Sequence, residues 1–440
     1  MSTPCRIFRM NSEKDFSTLL DLLAVRRKPD NDVEAAVREI LAAVAARGDE
    51  ALVDYTRRFD CPDFSQALLR VPQKELDVAL KAVPKEDIEA ITQAADNIRA
   101  FHEGQRERST FATRPDGTVL GLMVTPVDRV GLYVPGGRSG ETPLVSSLLM
   151  NALPALVAGV REIAVVSPPR RDGTLNTHIL AAAGMLGLTE VYRVGSAWAI
   201  AALAVGTPTI RPTDVIAGPG NLYVAAAKRL LQGTVGIDAI AGPSEILVLA
   251  DEQADPAWVA ADMLSQAEHD PLAAALCVTD STHLAETLAN ELEKQVKSLP
   301  RAEIARASLK DWGAIVLVPD MRLGVELANR IAPEHLELCV TEPWTLVSCI
   351  RHAGAIFLGG HSPESLADYF AGPNHVLPTL GTARFSSGLS VQTFCKRSNI
   401  IAASPAFTAQ ATAAVARLAR LEGLEAHARS IEARQQRTPK

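Results

Sequence analysis

Two adjacent residues in the segment 330–338 have side chains that can move protons at neutral pH. The segment reads RIAPEHLEL and places Glu334 directly beside His335. A carboxylate next to an imidazole is suited to general acid–base chemistry, because an unperturbed histidine titrates near pH ~6.5. Pro333 disfavours helix just before the pair, so we expect the pair on a helix-to-strand turn. Taken alone, the dipeptide also fits a surface or capping pair.

Further candidates have the types and spacing of metal ligands. The segment 362–379, SPESLADYFAGPNHVLPT, contains Asp368 and His375. Gln266 and His269 stand three residues apart near the end of a predicted helix, so they share one helical face. An imidazole and an amide oxygen could bind zinc, with Asp368 as a compatible third ligand. An exposed polar helix end would explain the same spacing without a metal.

Two glycine-rich turns could bind phosphate groups. Residues 131–143 read GLYVPGGRSGETP and residues 217–221 read AGPGN, and each turn follows a predicted strand and precedes a predicted helix. Backbone amides in such turns can hold a phosphate, although both could equally be tight connections only. Ser244, in AGPSE at 241–245, lies on a turn before a strand. The nucleophile elbow of a serine hydrolase needs a strand before and a helix after, so we do not interpret the chain as a serine hydrolase.

The predicted elements indicate an α/β protein. Amphipathic patterns over 33–47 and about 74–103 predict a solvated helical layer. From about residue 129, short apolar runs alternate with helical patterns, which indicates parallel sheets covered on both faces. The predicted strands are 129–134, 162–167, 190–194, 214–217, 245–250, 274–279, 314–318, 336–340 and 355–358. The predicted helices between them are 144–158, 175–187, 198–205, 221–232, 256–268, 282–297, 321–331 and 344–352.

The C-terminal region carries one long helical pattern over 406–434, interrupted only at Gly423. Its apolar stripe is thin, so we expect it to pack against a partner. Glu422 and His427 lie near its end, where they fit a charged solvent face with a histidine close to the negative end of the helix dipole.

Composition excludes several classes of protein. The chain has 440 residues, too many for one ordinary core, with 47% hydrophobic and 22% charged residues as in soluble globular proteins. A net charge of -7 argues against binding to nucleic acid or to anionic membranes. No apolar run reaches the ~18 residues that span a bilayer, and the N-terminus lacks the apolar core of a signal peptide. Six scattered cysteines without a CxxC motif fit a reducing cytoplasm.

Six segments in a common order resemble histidinol dehydrogenase. They are 240–251 (IAGPSEILVLAD), 265–271 (SQAEHDP), 330–338, 362–379, 386–397 (SSGLSVQTFCKR) and 421–427 (LEGLEAH). Together they are far more specific than any one of them. The resemblance implies a zinc-containing, NAD-dependent enzyme that completes histidine biosynthesis. It would oxidise L-histidinol to the aldehyde and then to L-histidine, with reduction of two NAD.

The resemblance also implies roles for individual residues. His335 would be the general base, and Glu334 would activate the water that hydrates the aldehyde. The implied zinc ligands are Gln266, His269, Asp368 and His427. The implied substrate contacts are Ser244, Gln266, His269, His335, Asp368, His375, Glu422 and His427. The implied NAD contacts are Tyr133, Trp198 and Asn221.

The expected fold is α/β, with two incomplete, doubly wound Rossmann-like domains, an N-terminal arm and an extended C-terminal helical segment. We expect an arm over 1–27, a first domain from 28–128 plus 246–385, and a second domain on the NAD side from 129–245. The segment 386–440 would be exchanged between the subunits of a homodimer, so that each active site is shared.

Two departures from the family pattern lie on the NAD side. Trp198 stands where members of the family often carry glutamine, and the turn after Gly137 is longer than in many relatives. The nearest alternative is a related zinc- and NAD-dependent alcohol dehydrogenase acting on another small polyol or a sulfonated diol. His375, Glu422 and His427 favour histidinol instead. A catalytically silent metal-binding or assembly protein is a second alternative, which the intact Glu334–His335 pair disfavours.

Overall fold

Two parallel β-sheets organise the larger part of the chain, as the alternation of apolar runs and helical patterns predicts. The computed structural model describes residues 4–27, 30–136 and 142–435. The strands in these residues are β1 (Arg6–Arg9), β2 (Thr110–Thr113), β3 (Val119–Pro126), β4 (Arg129–Tyr133), β5 (Glu162–Ser167), β6 (Glu190–Arg193), β7 (Val215–Ala217), β8 (Gly236–Ile237), β9 (Glu245–Ala250), β10 (Ala274–Thr279), β11 (Ala314–Leu317), β12 (His335–Cys339), β13 (Ala355–Leu358) and β14 (Cys395–Ala402).

Helices connect and cover these strands. They are α1 (Phe16–Ala24), α2 (Asn31–Arg47), α3 (Asp49–Phe59), α4 (Gln73–Ala82), α5 (Lys85–Glu103), α6 (Val145–Ala158), α7 (Thr177–Met185), α8 (Ser196–Val205), α9 (Leu222–Leu231), α10 (Pro256–Ala267), α11 (Thr282–Gln295), α12 (Ala302–Trp312), α13 (Met321–Ile331), α14 (Pro343–Val347), α15 (Glu364–Tyr369), α16 (Pro405–Leu421) and α17 (Glu425–Glu432). Within the described ranges, none of these helices is long and apolar enough to cross a bilayer.

The chain divides into two units of very different size. The first comprises Met1–Gln105 with Asp128–Phe394, and the second comprises Arg106–Val127 with Cys395–Lys440. Both parallel sheets belong to the first unit. The finer division into domains that we expect from the sequence stays a prediction.

The larger sheet has six parallel strands in the order β1-β11-β10-β9-β12-β13. Chain order reverses between β9 and β12, as in a doubly wound sheet. Strand β9 is buried on both faces, with Ile246 and Val248 in one core and Leu247 and Leu249 in the other. The N-terminal residues, expected only as an arm, contribute the edge strand β1.

The smaller sheet has five parallel strands in the order β6-β5-β4-β7-β8, and its chain order reverses between β4 and β7. Gly218 follows β7 with a φ of 119°, and a Cβ there would lie 2.1 Å from the carbonyl oxygen of Tyr133. Only glycine therefore allows the ends of β4 and β7 to lie side by side.

The second unit has its own antiparallel sheet, in the order β14-β3-β2. The sequence patterns did not predict these strands. The long C-terminal helical pattern is broken as expected, because Gly423 adopts a φ of 74° between α16 and α17. Arg420 joins the two helices by ion pairs to Glu425 and Glu432.

Candidate active site

A cavity of about 640 Å³ in the first unit brings most of the predicted site residues together. It lies at the amino ends of β9 and β12 in the larger sheet and at the carboxyl ends of β4 and β7 in the smaller one. The predicted site residues that line it are Ser244, Gln266, His269, Glu334, His335, Asp368, His375 and Asn221.

His335 is arranged to accept a proton. The residue is 3% exposed, and Nδ1 lies 2.9 Å from the carbonyl oxygen of Glu245. A carbonyl oxygen only accepts, so Nδ1 carries the hydrogen and Nε2 carries the lone pair. Among the residues that the structure describes, Nε2 has no hydrogen-bond partner. Burial lowers the pKa of His335, which keeps the imidazole neutral and able to act as a base.

The backbone of Glu245, which contacts His335, also holds Glu334. Its Oε2 accepts a hydrogen bond of 2.9 Å from the backbone N–H of Glu245 and lies 3.8 Å from Nδ1 of His335. Burial raises the pKa of Glu334 well above its ordinary value, and the nearby carboxylates of Glu245 and Asp368 add to the shift. A single residue at the start of β9 thus orients both members of the pair.

The turn before β12 fixes the position of the pair. Ala332 ends α13 in the left-handed region with a φ of 54°, a conformation that is strained for a residue other than glycine. Ala355 then donates its backbone N–H to the carbonyl oxygen of Glu334 over 2.9 Å. Gly354 packs against the same atom, because a Cβ there would lie only 2.6 Å from it. Glu334 thus lies on the expected turn between α13 and β12, and His335 is the first residue of β12.

Three side chains in the cavity could bind one cation. Ligand atoms of His269, Glu364 and Asp368 lie within 4.8 Å of one another. Nδ1 of His269 lies 2.8 Å from the carbonyl oxygen of Ser265, so it carries the hydrogen and Nε2 is available as a ligand. Burial raises the pKa of Asp368 to about 9, and the neighbouring Glu364 adds to the shift. A cation would stabilise the ionised form of this carboxyl group.

The donor set fits zinc. The buried side-chain oxygen of Gln266 has no hydrogen-bond partner within the described residues. An imidazole nitrogen together with carboxylate and amide oxygens matches what zinc accepts in a site that stays open to substrate.

Glu364 is a site residue that our sequence reasoning missed. It is 2% exposed, and its Oε2 accepts a hydrogen bond of 2.9 Å from the hydroxyl of Ser265. Its backbone N–H donates over 2.8 Å to Oε1 of Glu337 on β12, which ties the start of α15 to the larger sheet. The available signal was its spacing, four residues before Asp368, which places both carboxylates on one helical face.

The remaining cavity residues have defined local roles. Burial lowers the pKa of His375 to about 4, and its Nδ1 lies 3.1 Å from the carbonyl oxygen of Asp368. Asn221 caps α9 by accepting from the backbone N–H groups of Tyr223 and Val224. The N-termini of α6 and α9 both border the cavity at the switch point between β4 and β7. Helix N-termini at such a point suit the phosphates of a dinucleotide.

Tyr133 and Trp198 lie away from the lining of this cavity as the described residues form it. Both are buried, and the hydroxyl oxygen of Tyr133 accepts from the backbone N–H of Ser196 over 3.2 Å. Trp198 stacks on Tyr55 and Phe59, with centroid distances of 5.6 Å in each case. Their assignment to NAD stays a prediction. The first residues of the longer turn after Gly137, 138–141, lie outside the described residues, as does Gly137 itself.

Glu422 and His427 belong to the second unit. Glu422 directly follows α16, and His427 lies in α17. Both residues are exposed on that unit. The contacts predicted for them, with zinc and substrate, would be in the active site of a second copy of the chain and stay predictions.

Known proteins resemble this chain along almost its whole length. The model of the histidinol dehydrogenase family matches residues 24–435. A histidinol dehydrogenase of Nitratidesulfovibrio vulgaris is 65% identical over 431 residues, which cover 98% of this chain and 99% of that protein. One from Bacillus subtilis is 52% identical over 421 residues, which cover 95% and 97%.

A solved structure agrees with the sequence comparisons. The crystal structure of histidinol dehydrogenase from Elizabethkingia anophelis matches with a TM-score of 0.92 and 32% sequence identity, over 99% of each chain. The chain therefore belongs to the histidinol dehydrogenase family, whose members are oxidoreductases of histidine biosynthesis.

Proposed function

We propose that the protein oxidises L-histidinol to L-histidine in two steps through L-histidinaldehyde, with zinc and NAD as cofactors. The observation that carries this proposal is the arrangement of Glu334 and His335. Both are buried at the cavity, and the peptide groups of Glu245 fix both side chains. A base and a second carboxylate in one cavity are what two successive oxidations, with a hydration between them, require.

The first step removes a proton and a hydride from the alcohol. Nε2 of His335 accepts the hydroxyl proton while the C–H bond of the same carbon breaks. NAD supplies the acceptor for the hydride. The Nδ1–H bond to the Glu245 carbonyl stabilises the imidazolium that forms, because a charged donor strengthens this hydrogen bond.

The second step begins with addition of water to the aldehyde. Glu334 accepts a proton from the attacking water as the C–O bond forms, and its raised pKa makes its carboxylate a stronger base than an exposed glutamate. The His335 imidazolium formed in the first step returns its proton to the former carbonyl oxygen, so the hydrate is again an alcohol and His335 is again neutral. Glu334 releases its proton to solvent. His335 takes its hydroxyl proton as the second hydride leaves, and the product is the carboxylate of L-histidine.

We assign the zinc site to Gln266, His269, Asp368 and His427, the last from the partner. Zinc at this site would bind and orient the substrate through its imidazole and amino groups. The available Nε2 of His269 and the unpartnered oxygen of Gln266 support the assignment. Ser244, His375 and Glu422 would contact the substrate, and Asn221, Tyr133 and Trp198 would contact NAD.

We further propose a homodimer in which Glu422 and His427 complete the site of the other subunit. The exposure of both side chains on the second unit supports this. Mixing a His427→Ala protein with a His335→Ala protein, after reversible dissociation, should restore activity in the heterodimer. A confirmed heterodimer without activity would refute the shared site. We expect the protein in the cytoplasm, where reducing conditions preserve its free cysteines.

Product analysis tests the substrate assignment. The zinc-loaded protein, incubated with NAD and L-histidinol, should yield L-histidine by mass spectrometry. In water labelled with ¹⁸O, the product should gain oxygen from solvent, because the hydration step adds one water. Oxidation of small polyols or sulfonated diols instead of L-histidinol would overturn the proposal.

A further inference from the structure

The side chain of Arg26 is buried against residues 243–245, where the chain turns into β9. Arg26 follows α1 in a short 3₁₀ turn, Val25–Arg27, and its side chain is only 1% exposed. Burying a guanidinium is costly unless every donor group finds a partner. Its surroundings are therefore informative about its role.

All three nitrogens of the guanidinium bind residues in the cavity lining (Pro243, Ser244 and Leu272) or directly next to it in sequence (Glu245). Nη1 pairs with Oε1 of Glu245 at 2.7 Å, and Nη2 donates to the carbonyl oxygens of Pro243 and Ser244 at 3.1 and 3.2 Å. Nε donates to the carbonyl oxygen of Leu272 at 2.9 Å. The planar guanidinium thus joins the turn before β9 to the loop that follows the His269 segment.

Glu245 connects this guanidinium to the catalytic pair. Its carboxylate binds Arg26, its N–H binds Glu334, and its carbonyl oxygen accepts from His335. The same turn presents Ser244 to the cavity. A shift of Glu245 would therefore move both hydrogen bonds that orient the base and the carboxylate.

We propose that Arg26 is a positioning residue for the oxidation, which holds the 243–245 turn and, through Glu245, the Glu334–His335 pair. This inference rests on the proposed function. Arg26 is not among the described residues that line the cavity, so it would act through Glu245. A lysine could keep the charge but could not bind all four acceptors, because its ammonium has three N–H donors on one atom whereas the guanidinium spreads five over a planar group.

The test compares Arg26→Ala and Arg26→Lys with the wild-type protein. Because a small misplacement of reacting groups costs up to about 10²-fold in rate, we expect kcat to fall by that order in Arg26→Ala. The zinc content should stay at the wild-type level. Added guanidinium ion should restore part of the lost kcat in Arg26→Ala, and Arg26→Lys should show an intermediate rate.

Arg330→Ala is the matched control, since the side chain of Arg330 makes an exposed ion pair to Glu13 and no other hydrogen bond or ion pair with the residues that the structure describes. It should keep wild-type kcat and show no response to guanidinium. Wild-type kcat in folded Arg26→Ala, or a loss of kcat that guanidinium does not reverse, would overturn the proposal. If neither Arg26 variant folded, Arg26 would be assigned to stability alone, and this result too would overturn the proposal.

Nuclear magnetic resonance separates this inference from the proposed function. In ¹⁵N-histidine-labelled protein, His335 should be protonated at Nδ1, and Arg26→Ala should shift it toward a mixture of tautomers. This readout does not require turnover. An unchanged His335 signal in Arg26→Ala would refute the positioning role even if the wild-type protein oxidised no histidinol.

Discussion

Replacing His335 by asparagine should remove the base and leave its support intact. The amide nitrogen of asparagine can take the place of Nδ1 and donate to the Glu245 carbonyl, which the imidazole contacts at 2.9 Å. Nothing in the asparagine side chain replaces Nε2. General-base catalysis contributes about 10²–10⁴-fold, so kcat for L-histidinol should fall by that factor. This corresponds to about 2.7–5.4 kcal/mol at about 1.36 kcal/mol per tenfold change.

The assay is steady-state NADH formation across a pH range. Burial lowers the pKa of His335, so the wild-type kcat/KM should decline only below about pH 6.5, as the base becomes protonated. His335→Asn should have a lower kcat/KM that no longer declines in this pH range. Binding of zinc should be unchanged.

His102 provides a matched control for this substitution. It is fully buried on α5, its Nδ1 lies 2.8 Å from the carbonyl oxygen of Ile98, and its Nε2 has no partner among the described residues. It therefore repeats the local geometry of His335 away from the cavity lining. Folded His102→Asn should keep wild-type kcat. A folded His335→Asn protein with near wild-type kcat would refute His335 as the base.

Three further substitutions test other parts of the site. Glu334→Gln should slow oxidation of the aldehyde more than that of the alcohol, measured with each substrate separately. Because burial raises the pKa of Glu334, the folded state holds its proton more tightly than the unfolded state. The unfolding free energy of the metal-free wild-type protein should therefore fall as pH rises above ~4.3. In Glu334→Gln this titration is absent, so the unfolding free energy, measured with urea, should fall less over the same range. Asp368→Asn should lose zinc, and stoichiometric metal by mass spectrometry would exclude it as a ligand. Gly354→Ala should lower kcat and cost about 1–3 kcal/mol of stability in urea unfolding, because its Cβ meets the Glu334 carbonyl at 2.6 Å; unchanged values would contradict that contact.

The buried strands could be predicted closely from the sequence. Strands β9 and β10 have the predicted bounds, because their side chains are apolar on both faces of the larger sheet apart from Glu245 and Thr279 at the ends. The predicted helix 344–352 was wrong in extent, since α14 ends at Val347. The side chain of Asn329 binds the backbone of Cys349 and Arg351, and these tertiary hydrogen bonds replace the helical ones.

Elements that depend on distant partners were not predicted. Strand β1 is short and carries a charged residue at each end, and it becomes a strand because Ile7 pairs with Ile315. The sheet of β14, β3 and β2 likewise depends on pairing across a long stretch of chain, for example Asn399 with Leu122. Local periodicity carries no record of such pairing.

The candidate site was predictable where function depends on residue type. Histidine and carboxylate side chains are candidates for acid–base chemistry and metal binding by residue type alone, and the resemblance to the family implied their roles. Residues that act through main-chain contacts gave no such signal. Glu245 contacts Glu334 and His335 with its peptide groups, and Arg26 contacts Glu245 from a distant part of the chain. Those relations exist only in the folded protein.

The most direct measurement is the number of NADH formed per L-histidinol, with and without a metal chelator. We expect two NADH per molecule consumed, and loss of the reaction when zinc is removed. One NADH, with the aldehyde accumulating, would contradict the role of Glu334 in hydration. No NADH from the folded, zinc-loaded protein would contradict the proposed function itself.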